Sequence, residues 1–390
     1  MLATFLLAMS TNGMGQIDRF DRFDVSLVTI GPGQSYWQRF GHNAILIRAR
    51  DASDDPGVMY NYGQFDFQQK NFFLNFMRGH MTYKIAAFYA DQNLASFIKN
   101  DRDVTIQDLN LGSSQKQELI NFLEWNRRPE NAAYRYDYFL SNCSTKVRDV
   151  LDTALGGMLK ARYSKQAGNQ MLRHHVRRLT SPNLALYVGT SLGLGQPVDR
   201  AVSRWDEFFL PMELLRALDQ VVLPDGRKLV RQTTILQYST RMEPETAPNW
   251  LPGFLVSGLL LAGMVVLTRT RQALFRRTVG SWYLLCGLSG LVLALLWLLS
   301  DHQAAWYNEN LLLFSPLGML AAGPLLFDRT TRFAVGCATL IAAIAVLGLM
   351  LKLSPLLFQD NLEFAALVLP VHLVCAGLLM RDMRNPDHDH

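Results

Sequence analysis

The pattern of apolar and polar residues divides the chain into two parts. Up to about residue 240, short apolar runs alternate with turn-forming Gly, Pro, Asn and Asp, which is typical of a mixed α/β domain. After residue 248 the pattern changes to long apolar stretches, each near the roughly 20 residues that a bilayer core requires. The stretches cover residues 250–267, 279–299, 311–327, 333–351 and 362–380. The pattern therefore predicts an all-α membrane domain of about five transmembrane helices behind the folded domain.

Local patterns predict the elements of the first part. Apolar or alternating runs predict strands at residues 24–30, 44–47, 58–62, 81–89 and 103–109, and a hairpin at 221–237. Amphipathic runs predict helices at 91–98, at 113–126 and from Cys143 to the Gly156-Gly157 stop. Residues 67–77 are rich in aromatic side chains and indicate either a helix or a lipid-facing surface.

The distribution of arginine predicts the orientation in the membrane. Loops 300–310 and 354–361 contain no Lys or Arg, whereas the alternate loops and the C-terminus are basic. The positive-inside rule places the basic segments in the cytoplasm, so five spans place the first domain in the periplasm of a diderm bacterium. We expect a periplasmic catalytic domain at 16–245 and a transmembrane domain at 246–385 in the inner membrane. The basic residues are Arg269, Arg271, Arg276, Arg277, Arg329, Arg332, Arg381 and Arg384.

The N-terminal 15 residues carry a short apolar run that is too short to span a bilayer. The run at residues 2–9 is typical of the h-region of a signal peptide, but no basic residue precedes it. We expect residues 1–15 to be a signal segment or a truncated remnant of one.

Cys143 is the first candidate for chemistry. Asn142 and Ser144 are good helix-capping residues, so the thiol is expected in the first turn of a helix, where the helix dipole favours thiolate. The other three cysteines lie in the apolar stretches, so Cys143 has no disulfide partner in the exported domain. An unpaired cysteine in an oxidising compartment is either a reactive thiol or an intermolecular link. The alternative is a buried cysteine that only packs.

His42 is the candidate base for this thiol. It opens a short apolar run after a glycine-rich turn, and a thiol nucleophile needs an imidazole within reach. Spacing along the chain alone makes this a weak pairing, because such motifs do not transfer between families.

A basic segment at residues 160–178 has two readings. It is either a solvated helix face or a contact for anionic lipid headgroups, where each basic residue gains on the order of 1 kcal/mol. The candidate headgroup residues are Arg173, Arg177 and Arg178. Nucleic acid is disfavoured as a partner, because no recognised binding motif accompanies the charge and membrane segments follow.

Several short motifs, in this order, resemble one bacterial family, the Lnb-type lipoprotein N-acyltransferases. The resemblance covers most of the chain and includes the membrane tail. The motifs are Phe-Gly-His at 40–42, the Tyr-Asn-Tyr-Gly-Gln-Phe-Asp-Phe run at 60–67, Tyr-Asp-Tyr-Phe at 136–139, Asn-Cys-Ser-Thr at 142–145, Gly-Leu-Gly at 193–195, Pro-Val-Asp-Arg at 197–200, Phe-Leu-Pro at 209–211 and Asn-Glu-Asn-Leu-Leu at 308–312.

The resemblance implies an α+β papain-like fold of the circularly permuted NlpC/P60 type, in which His precedes Cys. It also implies the reaction: an acyl chain moves from a membrane phospholipid, through a Cys143 thioester, to the α-amine of the N-terminal lipidated cysteine of a lipoprotein. The implied partners are a phospholipid acyl donor, a lipid-anchored lipoprotein and the membrane. The thioester stores the acyl group, so no cofactor or metal is expected.

The resemblance also suggests roles around the thiol. A papain-type site needs an amide or carboxylate to orient the imidazole, and Asn61 is preferred over the alternative Asp66. The backbone N–H of Cys143 is expected to hold the oxyanion. Tyr138 offers either a second oxyanion donor or an aromatic ring for packing. His80, His174 and His175 lack the spacing of metal ligands.

Two other functions stay open on sequence. A membrane-anchored cysteine peptidase or amidase acting on cell wall would use the same Cys–His pair. A non-catalytic membrane scaffold would need Cys143 only for packing.

Overall fold

The computed structural model describes residues 19–51, 55–66, 68 and 70–384, so the predicted signal segment lies outside the described residues. The chain forms two compact units. One holds the residues up to Phe76, His80–Gln170 and Ala201–Pro244. The other holds Met77–Gly79, Met171–Arg200 and the residues from Glu245 onward.

The first unit is built on one antiparallel sheet. Its strands are β1 Phe23–Ile30, β2 His42–Ala49, β3 Val58–Gln64, β4 Thr82–Tyr89, β5 Val104–Leu109, β6 Ala133–Arg135 and β7 Val230–Gln237. Their order is β6-β4-β3-β2-β1-β5-β7, and each neighbouring pair is antiparallel. The predicted mixed α/β domain is confirmed. The predicted hairpin at 221–237 is reduced to one bridge between Val222 and Lys228, because β7 pairs with β5 instead.

Helices cover both faces of this sheet. Leu27 and Ile45 enter one core with Val147, and the alternate residue Val28 enters a second core with Leu94 on the opposite face. This explains why the central strands are apolar almost throughout. The helices before residue 250 are α1 Phe72–Arg78, α2 Ala90–Lys99, α3 Ser113–Asn126, α4 Cys143–Ala154, α5 Met158–Tyr163, α6 Leu172–Thr180, α7 Leu184–Gly193, α8 Arg204–Glu207 and α9 Pro211–Asp219.

The second unit is a bundle of apolar helices. Among the described residues, four helices are long and apolar enough to cross a membrane: Leu251–Thr268, Gln272–Leu299, Arg332–Leu351 and Leu362–Arg384. The bundle consists of α10 Leu251–Thr268, α11 Gln272–Leu299, α12 Gly318–Leu326, α13 Arg332–Leu351 and α14 Leu362–Arg384.

The continuous helix predicted over residues 311–327 is wrong in its first half. A 3-10 turn and a loop precede α12, because Pro316 lacks an N–H and disfavours helical backbone at the residue before it. The loop lies against the bundle, where His372 Nε2 donates to the carbonyl of Leu313 at 3.0 Å and Asn308 Oδ1 accepts from Asn310 N–H at 3.0 Å. Non-helical backbone is tolerated at membrane depth only when protein satisfies its polar groups in this way.

The third crossing is therefore half loop and half helix. Phe314 of the loop packs with Phe254 and Phe364, whereas Ala321 of α12 packs with Val279 near the opposite ends of the long helices. The chain still passes from one end of the bundle to the other, so the alternation of basic and non-basic loops is kept.

Candidate active site

Cys143 is the first residue of α4, as its capping residues predicted. The side chain of Asn142 accepts hydrogen bonds from the backbone N–H groups of Ser144 and Thr145, both at 2.9 Å. The Asn142 amide also donates to the carbonyls of Tyr138 and Phe209, each at 2.9 Å, which fixes the cap between two segments. The thiol is consequently held at a rigid helix start.

The sulfur lies among backbone donors. Burial raises the pKa of the Cys143 thiol above its usual value, and the N–H groups of Asn43 and Ser144 oppose that rise. The helix start adds its partial positive charge. Burial is the larger effect, so the resting form at neutral pH is the thiol.

Strand β2 carries His42 and lies against the helix that begins with Cys143. Helix α4 packs on β2 and β3, and Asn43 Nδ2 donates to Ser144 Oγ at 3.2 Å. His42 and Cys143 are the residues immediately before this hydrogen-bonded pair. The contact therefore brings together two segments that stand 101 positions apart in sequence.

His42 is oriented by Asn61, whose residue is only 1% exposed. His42 Nε2 lies 3.0 Å from Asn61 Oδ1, and Asn61 Nδ2 donates to the carbonyl of Met59 at 3.0 Å. Because the hydrogen bond to the Met59 carbonyl fixes the Asn61 amide group, the Asn61 oxygen faces the imidazole and accepts a hydrogen bond from it. His42 therefore carries hydrogen on Nε2, and the Nδ1 lone pair remains to accept a proton.

His42 is neutral in this setting. Burial and, to a smaller extent, the positive charge of Arg102 lower the pKa of its imidazole, and the Asn61 hydrogen bond opposes both; together they bring this pKa to about 4. His42 and Cys143 are therefore both neutral at neutral pH, and they do not form a thiolate–imidazolium ion pair.

Gly63 of β3 lies beside the Cys143 side chain. Its φ is +94°, a left-handed conformation that favours glycine, and a Cβ at this position would lie 3.5 Å from the Cys143 Cβ. Backbone of β3 thus forms one side of the thiol's surroundings.

Arg102 is a site residue that sequence reasoning missed. It is 3% exposed, and its Nε and Nη2 donate to the carbonyl of Gly31 at 2.9 and 2.7 Å. Its guanidinium lies 5.3 Å from the centre of the Phe97 ring, which is 6.1 Å from the His42 ring. Burial lowers the pKa of Arg102 to about 10, and a negative charge on Cys143 opposes this. The buried guanidinium favours negative charge on sulfur and disfavours positive charge on His42.

The electrostatic role of Arg102 is testable through thiol reactivity. Arg102→Gln removes the positive charge, so the pKa of Cys143 rises further. Because a rise of one in the pKa lowers the thiolate fraction at pH 8 by about tenfold, we expect iodoacetamide alkylation of Cys143 at pH 8 to slow by roughly threefold to tenfold. Arg102→Lys keeps the charge and serves as the control. Identical pH profiles for the wild type and Arg102→Gln would show that the guanidinium has no influence on the thiol.

Tyrosines surround the thiol on another side. Burial and the negative charge that Cys143 would carry as thiolate both raise the pKa values of Tyr134, Tyr136 and Tyr83, and the pKa of Tyr83 reaches about 12. The rings of Tyr83 and Tyr136 are stacked 4.2 Å apart. Tyr138, the residue predicted to donate to an oxyanion or to pack, lies edge-on to Tyr136 at 5.7 Å, and its hydroxyl contacts Met81 Sδ at 3.8 Å. Its placement favours packing.

Asp66 lies away from the imidazole that it was considered to orient. It is exposed, and its Oδ1 accepts from the backbone N–H of Gln68 at 2.8 Å. Its carboxylate caps a turn after β3.

Two arginines of the basic segment form ion pairs within the second unit. Arg173 is buried and pairs with Asp199 at 2.7 Å, and it also donates to the carbonyl of Ser191 at 2.9 Å. Arg177 pairs with Asp360 at 2.6 Å, and Arg178 is half-buried. Because Arg173 and Arg177 have protein partners, these two side chains are not proposed as headgroup ligands.

Metal ligands are not clustered in the described part of the chain. Within it, no group of three or more His, Cys, Asp and Glu side chains is placed to hold a metal ion.

Fold and site together define a membrane protein whose mixed α/β domain holds Cys143 at a helix start and a hydrogen-bonded His42–Asn61 pair on an antiparallel sheet. The chain belongs to the Lnb family. Residues 16–181 match the Lnb N-terminal periplasmic domain, and residues 247–386 match the Lnb transmembrane domain. The resemblance stated from the motifs is thus confirmed, and the protein is a membrane protein with a periplasmic N-terminal domain. Neither a curated protein nor a solved structure matches this chain.

Proposed function

We propose that this protein is a lipoprotein N-acyltransferase that works through a Cys143 thioester. The observation that carries the proposal is the site geometry in a chain of the Lnb family: Cys143 begins a helix whose next residue, Ser144, accepts a hydrogen bond from Asn43, and the residue before Asn43 is a neutral His42 that Asn61 orients. Attachment to membrane helices supports it, because both substrates are lipid-anchored. We further propose that the periplasmic domain is a papain-like fold of the permuted NlpC/P60 type, since His42 precedes Cys143 and an amide orients the imidazole.

The first half-reaction transfers the acyl group to sulfur. His42 Nδ1 takes the thiol proton as sulfur attacks an ester carbonyl of a glycerophospholipid, and a C–S bond forms. The carbonyl electrons move to oxygen, where the backbone N–H of Cys143 donates to the oxyanion. The intermediate then collapses, the C–O bond breaks, and His42 returns its proton to the departing lysophospholipid oxygen.

The second half-reaction transfers the acyl group to nitrogen. The α-amine of the lipoprotein's N-terminal lipidated cysteine attacks the thioester, and His42 takes a proton from the amine. An amide bond forms, the C–S bond breaks, and the sulfur regains its proton from His42. The thioester must be shielded from water, because its hydrolysis would make the protein a phospholipase.

The membrane topology is part of the proposal. Basic residues at the ends of α10, α11, α13 and α14 favour an inner-membrane protein with its C-terminus in the cytoplasm. The site then faces the periplasm, where lipidated lipoproteins are exposed.

A cell-wall peptidase or amidase is the second candidate, because the same three side chains suit amide hydrolysis. The aromatic surroundings of the thiol, Tyr83, Tyr134 and Tyr136, favour an apolar acyl chain over a polar glycan or peptide. A scaffold without catalysis would not need a buried imidazole oriented by an amide.

The deciding experiment is mass spectrometry of a reporter lipoprotein's N-terminal lipopeptide. The reporter comes from cells in which this protein is the sole source of N-acylation. We expect one added amide-linked acyl chain, absent from cells that lack the protein. An unmodified reporter at normal protein levels, together with cleaved peptidoglycan fragments, would favour the cell-wall activity instead.

A further inference from the structure

Helix α1 exposes a patch of large apolar side chains. No residue of this helix is buried; Phe73 is 74% exposed and Met77 is 58% exposed. Single exposed apolar residues are common, but a group on one short helix marks an interaction site. The helix patch consists of Phe73, Leu74, Phe76 and Met77.

The end of α1 is held at the end of a membrane helix. Within the second unit, Asp301 N–H donates to the carbonyl of Arg78 at 2.9 Å, and Asp301 comes two residues after the end of α11 at Leu299. Gly79, with a φ of +75°, lies so close to this loop that a Cβ would be 3.0 Å from the Asp301 carbonyl carbon. Met77 and Arg78, the last two residues of α1, therefore lie next to the segment that follows α11 within the second unit.

A series of stacked rings leads from α1 toward the thiol. Phe72 lies 6.2 Å from Phe65, Phe65 lies 5.1 Å from Tyr83, and Tyr83 lies 4.2 Å from Tyr136. Tyr83 and Tyr136 are among the tyrosines beside Cys143. These four residues, Phe72, Phe65, Tyr83 and Tyr136, form the aromatic series, a run of neighbouring rings between α1 and the tyrosines beside Cys143.

We propose that the helix patch inserts into the periplasmic leaflet of the bilayer and that the aromatic series guides a phospholipid acyl chain from that leaflet to Cys143. The occupant of the patch is lipid rather than another protein, because the helix ends where a membrane-spanning helix ends. The acyl path rests on the proposed acyl transfer; the insertion of α1 does not. Exposed aromatic and aliphatic side chains beside an arginine are the composition of an interfacial helix.

The insertion is tested by a nitroxide label. Phe73→Cys is labelled in full-length protein carrying Cys143→Ser and Cys337→Ala, reconstituted in phosphatidylethanolamine–phosphatidylglycerol nanodiscs. The same protein without the new cysteine is the blank. Phe122→Cys is the matched control, because Phe122 is a 38% exposed phenylalanine on α3. We expect the label at 73 to collide with oxygen, which concentrates in lipid, and the label at 122 to collide with a water-soluble nickel complex. A label at 73 that meets the nickel complex, or that another protein chain shields from both reagents, overturns the proposal.

The acyl path is tested by comparing two donors. One transfer rate is measured with a bilayer phospholipid as donor and the other with a monomeric short-chain phospholipid. Phe73→Glu should lower the ratio of the first rate to the second by about tenfold or more. Phe122→Glu should leave the ratio unchanged. An unchanged ratio in Phe73→Glu overturns the delivery role. Inactivity of the wild type on both donors would instead count against acyl transfer itself, and the nitroxide result would still decide the insertion.

Discussion

If the proposed thioester forms, we expect the replacement of Cys143 with serine to abolish the acyl-enzyme and to lower acyl transfer by at least about three orders of magnitude. A serine hydroxyl is far less acidic than a thiol, and the low pKa of His42, about 4, makes its imidazole too weak a base to activate it. The buried N–H groups that face the sulfur would remain, so the loss reports the nucleophile rather than the fold.

The readout for this variant is the intact mass of purified protein after incubation with phospholipid. Wild type should gain one acyl group in place of one hydrogen, and neutral hydroxylamine should remove it, as expected for a thioester. Cys337→Ala, which removes a different free cysteine, is the matched control and should keep the acyl group. A hydroxylamine-sensitive adduct on Cys143→Ser would discard Cys143 as the acyl carrier, and full transfer without any adduct would discard the covalent mechanism.

Sequence patterns predicted most of the framework for a physical reason. The strands that carry His42 and Asn61 are buried on both faces, so they read as short apolar runs between turn residues. The Asn142 cap is a local feature whose donors and acceptors lie within three residues, and local rules suffice to find it. The position of Cys143 at a helix start was therefore predictable without any tertiary contact.

Tertiary contacts decided the rest of the site. Sequence offered both Asn61 and Asp66 as the group that orients His42, and the choice depends on strand register. Ala44 of β2 pairs with Asn61 of β3, which brings the amide to the imidazole, whereas Asp66 lies beyond the end of β3. No sequence pattern marked Arg102 as a site residue. It precedes β5, and it reaches the site because β5 pairs with β1, which places its guanidinium at the carbonyl of Gly31 just after β1.

Hydropathy missed the break in the third crossing for a related reason. Average apolarity counts Pro316 and its neighbours as membrane-compatible, but it does not record the missing backbone donor. The side chain that satisfies the carbonyl of Leu313 is His372 of α14, which lies outside the predicted span of residues 311–327. Only the folded bundle shows that this partner exists.

Replacing His42 with glutamine is expected to lower acyl-enzyme formation by about a hundredfold to ten-thousandfold. The glutamine amide can still donate toward Asn61 Oδ1, so the hydrogen bond that spans β2 and β3 has a replacement donor. What is lost is the basic nitrogen that accepts the Cys143 proton. Asn61→Ala should have a smaller effect, at most about a hundredfold, because the imidazole remains but is free to turn away.

The pH profile separates this role from a structural one. With a pKa of about 4, His42 is neutral above that pH and loses its base function only as the pH falls through it. Wild-type kcat/KM should therefore stay near its plateau at pH 5.5 and decline only toward pH 4. The acid limb should disappear in His42→Gln, whose residual rate should instead rise with pH as hydroxide replaces the imidazole as base. Thermal melting in detergent is the control for folding. A wild-type rate that instead falls with an apparent pKa near 6.5, the ordinary value for histidine, would show that burial and Arg102 do not hold His42 neutral.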